Sequence, residues 1–209
     1  MFRTTRTIPK FLGAAALVLL SVRVAEAGPP LICHAFEAGS TALLPWSVAN
    51  RSELPWKSPD PSYDVQRLTA DTLRLLSADA SVLARMENMR RATIYASQDK
   101  RVAAELLAAV LGRATEVPRD AMAWFDAGYL VESYRQATHM VGWDMLAGAD
   151  RDGYSFVRKA IDIAGSSPDM EFAASLMKSG APANEHRRRA LAGASKGSLL
   201  ARNLGKFSN

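Results

Sequence analysis

From Tyr63 onward the apolar residues recur at spacings of three and four, the period of helices with one buried face. Val65, Leu68, Leu75 and Leu76 mark a first helix that ends near Ser77-Ala78-Asp79, and Val82, Leu83, Met86, Met89, Ile94 and Tyr95 mark a second. Asp99 is placed to cap a third, with Val102, Leu106, Val110 and Leu111 on its inner face. Pro118 predicts the first turn of a fourth that runs through Met122, Trp124, Phe125, Tyr129, Leu130 and Tyr134. Asp152 caps a fifth carrying Phe156, Val157, Ala160 and Ile161. Ser167-Pro168-Asp169 opens a sixth, with Met170, Phe172, Leu176 and Met177 inside and Gly180 as its stop. Two short basic helices, over residues 184–192 and 195–206, finish the chain. No stretch alternates like a half-buried strand, and the connections are short. The expected fold is all-α, built of antiparallel helical hairpins in an α-solenoid-like stack.

Residues 28–62 break this pattern. They hold Pro29, Pro30, Pro45, Pro55, Pro59 and Pro61, so no continuous helix forms there. Leu-Pro-Trp occurs twice, at 44–46 and 54–56, and presents Trp46 and Trp56 on extended chain. The expectation is an arm whose Leu44, Trp46 and Trp56 fill grooves between helices; the other reading is a pair of exposed aromatic platforms for a sugar or peptide.

The first 27 residues form a third kind of segment. Arg3, Arg6 and Lys10 precede the apolar run 11–20, and Ala25-Glu26-Ala27 supplies small residues before Gly28, the layout of a secretory signal peptide. The run is too short for a membrane span. The chain is therefore expected to be exported to the periplasm or beyond. It divides into 1–27, an arm 28–62, a helical domain 63–180 and basic helices 181–209. Of the formal net charge of +5, the first 27 residues supply +3, which removes the case for nucleic-acid binding from overall basicity. What basicity remains collects in Arg187, Arg188, Arg189, Lys196, Arg202 and Lys206. Such a cluster is ordinarily a solvated helix face; the functional reading is contact of Arg187, Arg188 and Arg189 with an anionic surface.

With 48% hydrophobic and 22% charged residues in 209, the composition is that of a globular chain, neither disordered nor fibrous. A single cysteine excludes an internal disulfide framework. Cys33-His34 is the most chemical pair, readable as nucleophile, copper ligand or intermolecular disulfide site, although adjacent residues rarely face each other and a lone cysteine is often a small buried hydrophobe. His139-Met140 with Met86, Met89, Met145, Met170 and Met177 would suit copper, but most of these methionines fall on core faces. Asp126 and Glu132 are six apart and do not share a helix face as neighbours do. Ser195 and Ser198 lack a nucleophile-elbow pattern, and Asn50-Arg51-Ser52 is a glycosylation acceptor only in a glycosylating cell. No cofactor or metal is expected.

Trp124, Gly128 and the run of hairpins resemble a degenerate tetratricopeptide-type repeat, with Ala123, Ala127 and Gly128 as a small-residue face that a neighbouring helix can approach. Ala127 and Val131 stand where the repeat has leucine and tyrosine. The blocks at 28–34, 44–46, 124–137 and 152–162 are similar to those of a family of bacterial secreted proteins, which implies an exported helical protein and transfers no catalytic residue. The resulting expectation is a binding or interaction protein without catalysis. It takes a protein or peptide partner of the cell envelope in a groove lined by Trp124, Tyr129, Tyr134 and Trp143. Against it stand a thiol- or metal-dependent enzyme using Cys33 and His34, and a structural protein of the envelope.

Overall fold

A computed structural model describes residues 31–47 and 59–207. Residues 1–27, Trp56 and the Asn50-Arg51-Ser52 acceptor lie outside the described residues. Among the described residues the chain is all-α, with no strand. The helices are α1 (Leu68–Leu75), α2 (Val82–Ala96), α3 (Lys100–Glu116), α4 (Ala121–Val141), α5 (Gly153–Ala164), α6 (Pro168–Ser175), α7 (Gly180–Gly193) and α8 (Leu199–Lys206). None of them is long and apolar enough to cross a membrane.

Local chemistry sets most of the helix starts. Ser81, Asp99, Ser167 and Ser198 each accept a hydrogen bond from a first-turn backbone N–H, filling one of the donors a helix leaves unpaired. Pro118, Asp152 and Gly180 act differently from the expectation, and the last two helices run over Gly180–Gly193 and Leu199–Lys206 rather than over residues 184–192 and 195–206. Asp120, not Pro118, begins α4, its carboxylate accepting from Met122 N at 2.9 Å and Ala123 N at 3.2 Å. Pro118 stays in the turn before. Asp152 occupies the cap position of α5, yet its side chain accepts no helix N–H. Gly180 does not stop α6, which ends five residues earlier; with φ +68° it turns the chain into α7.

α4 is the hub, packing on α2, α3 and α5. Every residue from Phe125 to Tyr134 is buried, so α4 has no solvent face over that stretch. Its contact with α5 is made backbone to backbone. A Cβ on Gly128 would meet Gly153 O at 2.5 Å, and one on Gly153 would meet Gly128 O at 2.4 Å, so both positions exclude any side chain. Of the small-residue face at Ala123, Ala127 and Gly128, it is Gly128 that receives α5.

The arm is pinned to this bundle by side chains that enter it. Leu31, Ile32, Phe36 and Leu44 are buried, and Trp46 is half-buried edge-on to Tyr95, with Arg90 4.7 Å from its ring centroid. Burial removes water from an irregular backbone, so its N–H and C=O groups need other partners. α2 supplies most of them. Phe36 N donates to Glu87 at 3.0 Å and Leu44 N to Asn88 at 2.9 Å, while Arg91 donates to Leu44 O at 2.5 Å and Tyr95 OH to Pro45 O at 2.7 Å. Leu31 N donates to Gln136 of α4 at 3.1 Å. Asn203 of α8 closes a two-bond ring on Glu37, accepting from its N and donating to its O, both at 2.9 Å.

Glu87 joins this backbone to the charges. It accepts from Arg90 at 2.8 and 2.9 Å and from Arg91 at 2.7 Å. Burial by itself raises the Glu87 carboxyl, but the two guanidinium groups outweigh it and hold the group below the ordinary carboxylate value. A carboxyl lowered by folding adds stability above the unfolded value of about 4.3, and that stability is lost as pH falls through the folded value. Glu87→Gln is expected to cost about 3 to 5 kcal/mol, because it leaves a buried cation without its anion. Urea titration at pH 7 checks the cost. Hydrogen exchange at the Phe36 and Leu44 amides should show wild-type protection collapsing below about pH 4, with the Gln variant unprotected already at neutral pH.

Candidate functional site

The four aromatic residues expected to line one groove do not come together. Tyr129 and Tyr134 are fully buried. They face inward because α4 is enclosed on several sides, where a solenoid helix would keep one face open. Tyr134 OH donates to Ala103 O at 3.1 Å, whereas Tyr129 OH is buried among Phe125 and Phe36 without a partner. Trp124 and Trp143 flank opposite ends of α4, roughly 28 Å apart at 1.5 Å per residue. Trp124 donates to Pro118 O at 3.0 Å, lies edge-on to Phe156, and has the Lys159 ammonium 3.4 Å from its ring centroid.

Trp143 lines a cleft, an open one of about 460 Å³ between α3 and residues 143–151, and none of the other three does so with it. One wall is a stripe on α3 formed by Lys100, Ala104, Leu107, Ala108 and Leu111, which the three-and-four spacing places on one face. The other is the connection from α4 to α5, with Trp143, Met145, Leu146 and Ala147. That connection is held in a defined shape. The Asp144 carboxylate accepts from Leu146 N at 2.9 Å and Gly148 N at 2.5 Å, and Thr138 Oγ1 accepts from Met145 N at 3.1 Å. Ala147 has φ +53°, the one non-glycine residue at positive φ among the described residues, at a cost of roughly 1–2 kcal/mol. Met145 and Leu146 are buried by this turn and form the floor of the cleft.

Comparison of the chain with protein-family models, with curated proteins and with solved structures gives no match.

The remaining expected chemistry is placed elsewhere. Cys33 is a free, half-buried thiol, raised by burial against the pull of Arg90. His34 is exposed, edge-on to Phe207, and no hydrogen bond joins the two side chains. Met86, Met89, Met145 and Met170 are in the core, and no cluster of three metal-ligating His, Cys, Asp or Glu exists among the described residues. Asp126 is paired with Arg85 at 2.6 Å, both nearly inaccessible, and burial pushes its carboxyl up to about 7 against Arg85 and Arg113. Glu132 points instead at the start of α5, accepting from Tyr154 N at 3.3 Å and Arg135 at 2.9 Å.

The basic C-terminal helices are also largely committed. The Arg187 guanidinium turns inward and donates to Leu204 O and Phe207 O, each at 3.0 Å, so it closes the C-terminal end of α8. Arg188 forks onto Glu185 with two bonds, and Arg189 adds one.

One array was not visible in the sequence. Buried His186 on α7 bonds Glu171 of α6 through Nδ1 and Tyr154 of α5 through Nε2, the latter at 2.8 Å. Burial raises the Glu171 carboxyl, but His186, Ser166 and Arg189 together hold it lowered. The connectivity of hydroxyl, imidazole and carboxylate is that of a general-base relay. With the imidazole and carboxylate enclosed, it serves to tie three helices together. Its members are distant in sequence, at 154, 171 and 186, and only their shared neighbourhood in the fold relates them.

The two core tyrosines give a direct check. Tyr134→Phe is expected to cost about 0.5 to 1.5 kcal/mol, the net worth of one hydrogen bond. Tyr129→Phe, which removes a buried hydroxyl without a partner, should be neutral or stabilising. Chemical denaturation of the two variants beside wild type measures both, and a loss at Tyr129→Phe equal to that at Tyr134→Phe would contradict the placement.

Proposed function

We propose that this protein is a binding protein, and that it takes a protein or peptide partner in the cleft between α3 and residues 143–151. The observation that carries the reading is the shape and lining of that cleft: apolar side chains from two elements, a half-buried tryptophan at the edge, and alanines on α3 that leave space unfilled. Aromatic anchors beside small residues are what protein interfaces use to seat an apolar side chain. The groups that look catalytic support the same reading, since Tyr129, Tyr134, Asp126 and the His186–Glu171 pair are shut into the core. Of the tetratricopeptide-like stacking, the part that enters this proposal is local, the α4–α5 hairpin closed at Gly128 and Gly153. The compartment proposed, outside the cytoplasm, rests on the sequence of residues 1–27.

Ala104 and Ala108 are exposed on α3, so enlarging them fills the cleft without disturbing the core. The neutral dye Nile red, which brightens on leaving water, is expected to bind wild type saturably and to lose that binding in Ala104→Gln/Ala108→Gln. Thermal unfolding should be unchanged, because glutamine is a good helix former. Equal dye binding by the double variant would remove the cleft from consideration.

A further inference from the structure

The cleft has a charge pattern that goes with its apolar lining. Two cations stand at it, Lys100 on α3 and Arg151 at the end of the connection. The Lys100 ammonium lies 5.5 Å from the Trp143 ring centroid. Neither Lys100 nor Arg151 is in an ion pair among the described residues, although nearly every other arginine described here is spent on a carboxylate or a backbone carbonyl. The single acid of the lining, Asp144, already accepts two backbone N–H groups. An incoming anion therefore meets two uncommitted cations and one carboxylate whose oxygens are engaged. Apolar walls beside unpaired cations complement a ligand that is apolar on one side and anionic on the other.

Two chemistries share that description: an alkyl carboxylate, and a peptide whose last residue is apolar. The openness of the cleft separates them. A small free ligand held firmly is buried over most of its surface, which calls for an enclosed cavity. A chain end needs only its last side chain and carboxylate covered, with the rest of the peptide running out into water, and an open cleft of about 460 Å³ provides that. Resting on the binding reading above, we infer that the cleft recognises the free C-terminus of a partner polypeptide. The terminal apolar side chain seats on Leu107, Leu111 and Met145 beside Trp143, and the α-carboxylate is met by Lys100 and Arg151.

The test compares two peptides that differ in one group. Fluorescein-labelled Ser-Gly-Ser-Ala-Leu-Phe with a free carboxylate, and the same peptide as its C-terminal amide, are titrated by fluorescence anisotropy with the full chain. The acid is expected to bind at least about tenfold more tightly than the amide, as for a charge-assisted pair worth one decade in affinity. Lys100→Gln/Arg151→Gln should bring the acid down to the level of the amide, and Ala104→Gln/Ala108→Gln should abolish both. Acid and amide binding alike, with both lost in the alanine-filling variant, would overturn carboxylate recognition and leave the cleft as a peptide site. Decanoate displacing dye more tightly than the acid peptide would overturn the chain-end assignment in favour of a free alkyl acid. Binding of neither peptide, together with Nile red binding that ignores the filling variant, would remove both this inference and the reading beneath it.

Discussion

An irregular segment can be buried only if something other than water meets its backbone, and here that something is a row of side chains on α2. Glu87, Asn88, Arg90, Arg91 and Tyr95 all bond the arm's main chain or its anchoring groups. This one requirement accounts for an unusual feature of the core, a helix whose buried residues include Glu87, Asn88 and Arg90. Ionised groups are costly to bury, so they persist where each has partners, and Glu87 has three donors. The apolar return is substantial as well. Ile32, Phe36 and Leu44 are each worth about 1.5–3 kcal/mol on burial, and they can be buried only because the backbone between them is satisfied.

The same pinning ties the two ends of the described chain together. Phe36 stacks on Phe207 with ring centroids 5.3 Å apart, both meet Phe172, and Asn203 bonds the Glu37 backbone. Arg202 and Lys206 reach the Glu37 carboxylate at 2.6 and 2.9 Å, holding it lowered. Arg187, Arg202 and Lys206 thus act as clasps on the arm and on the end of α8, while Arg188 and Arg189 stay largely exposed on α7 beside Glu185.

Helix existence and order were legible, because the three-and-four spacing of Leu, Met and aromatic residues is a strong signal wherever one face is buried. It failed where burial was not one-sided. Periodicity assigns Glu87, Asn88 and Arg90 to solvent, yet the arm they serve covers them, and Arg85 is drawn inside by Asp126 and the Ser77 and Ala80 carbonyls. A signal was present: a proline-rich segment that builds no ladder of its own must borrow partners, and Met-Glu-Asn-Met-Arg-Arg at 86–91 packs an unusual density of them between core methionines. Tyr129 and Tyr134 were misplaced for a related reason, since a ring suited to lining a groove is equally suited to filling a core. Trp143 came closest to a site because it lies beyond the helix, where no periodicity pulls it inward.

The position of the cleft follows from the hub. α4 binds α2, α3 and α5 directly, and its contact with α5 at Gly128 and Gly153 is so close that the two helices draw together along their backbones. The connection between them spans residues 142–152 and cannot run straight from one helix end to the next start. It turns outward at Gly142, folds back through Ala147 and Gly148, and comes to rest over the flank of α3. Helix α3 ends up with its inner face on α1, α2 and α4 and one outer stripe facing this loop rather than a helix. A loop cannot fill a helix groove as side chains of a facing helix do. The alanines at 104 and 108 leave the gap, and Lys100 and Arg151 stand at it beside an Asp144 whose oxygens are taken by backbone N–H groups. The cleft thus lies where α3 meets a loop instead of a helix.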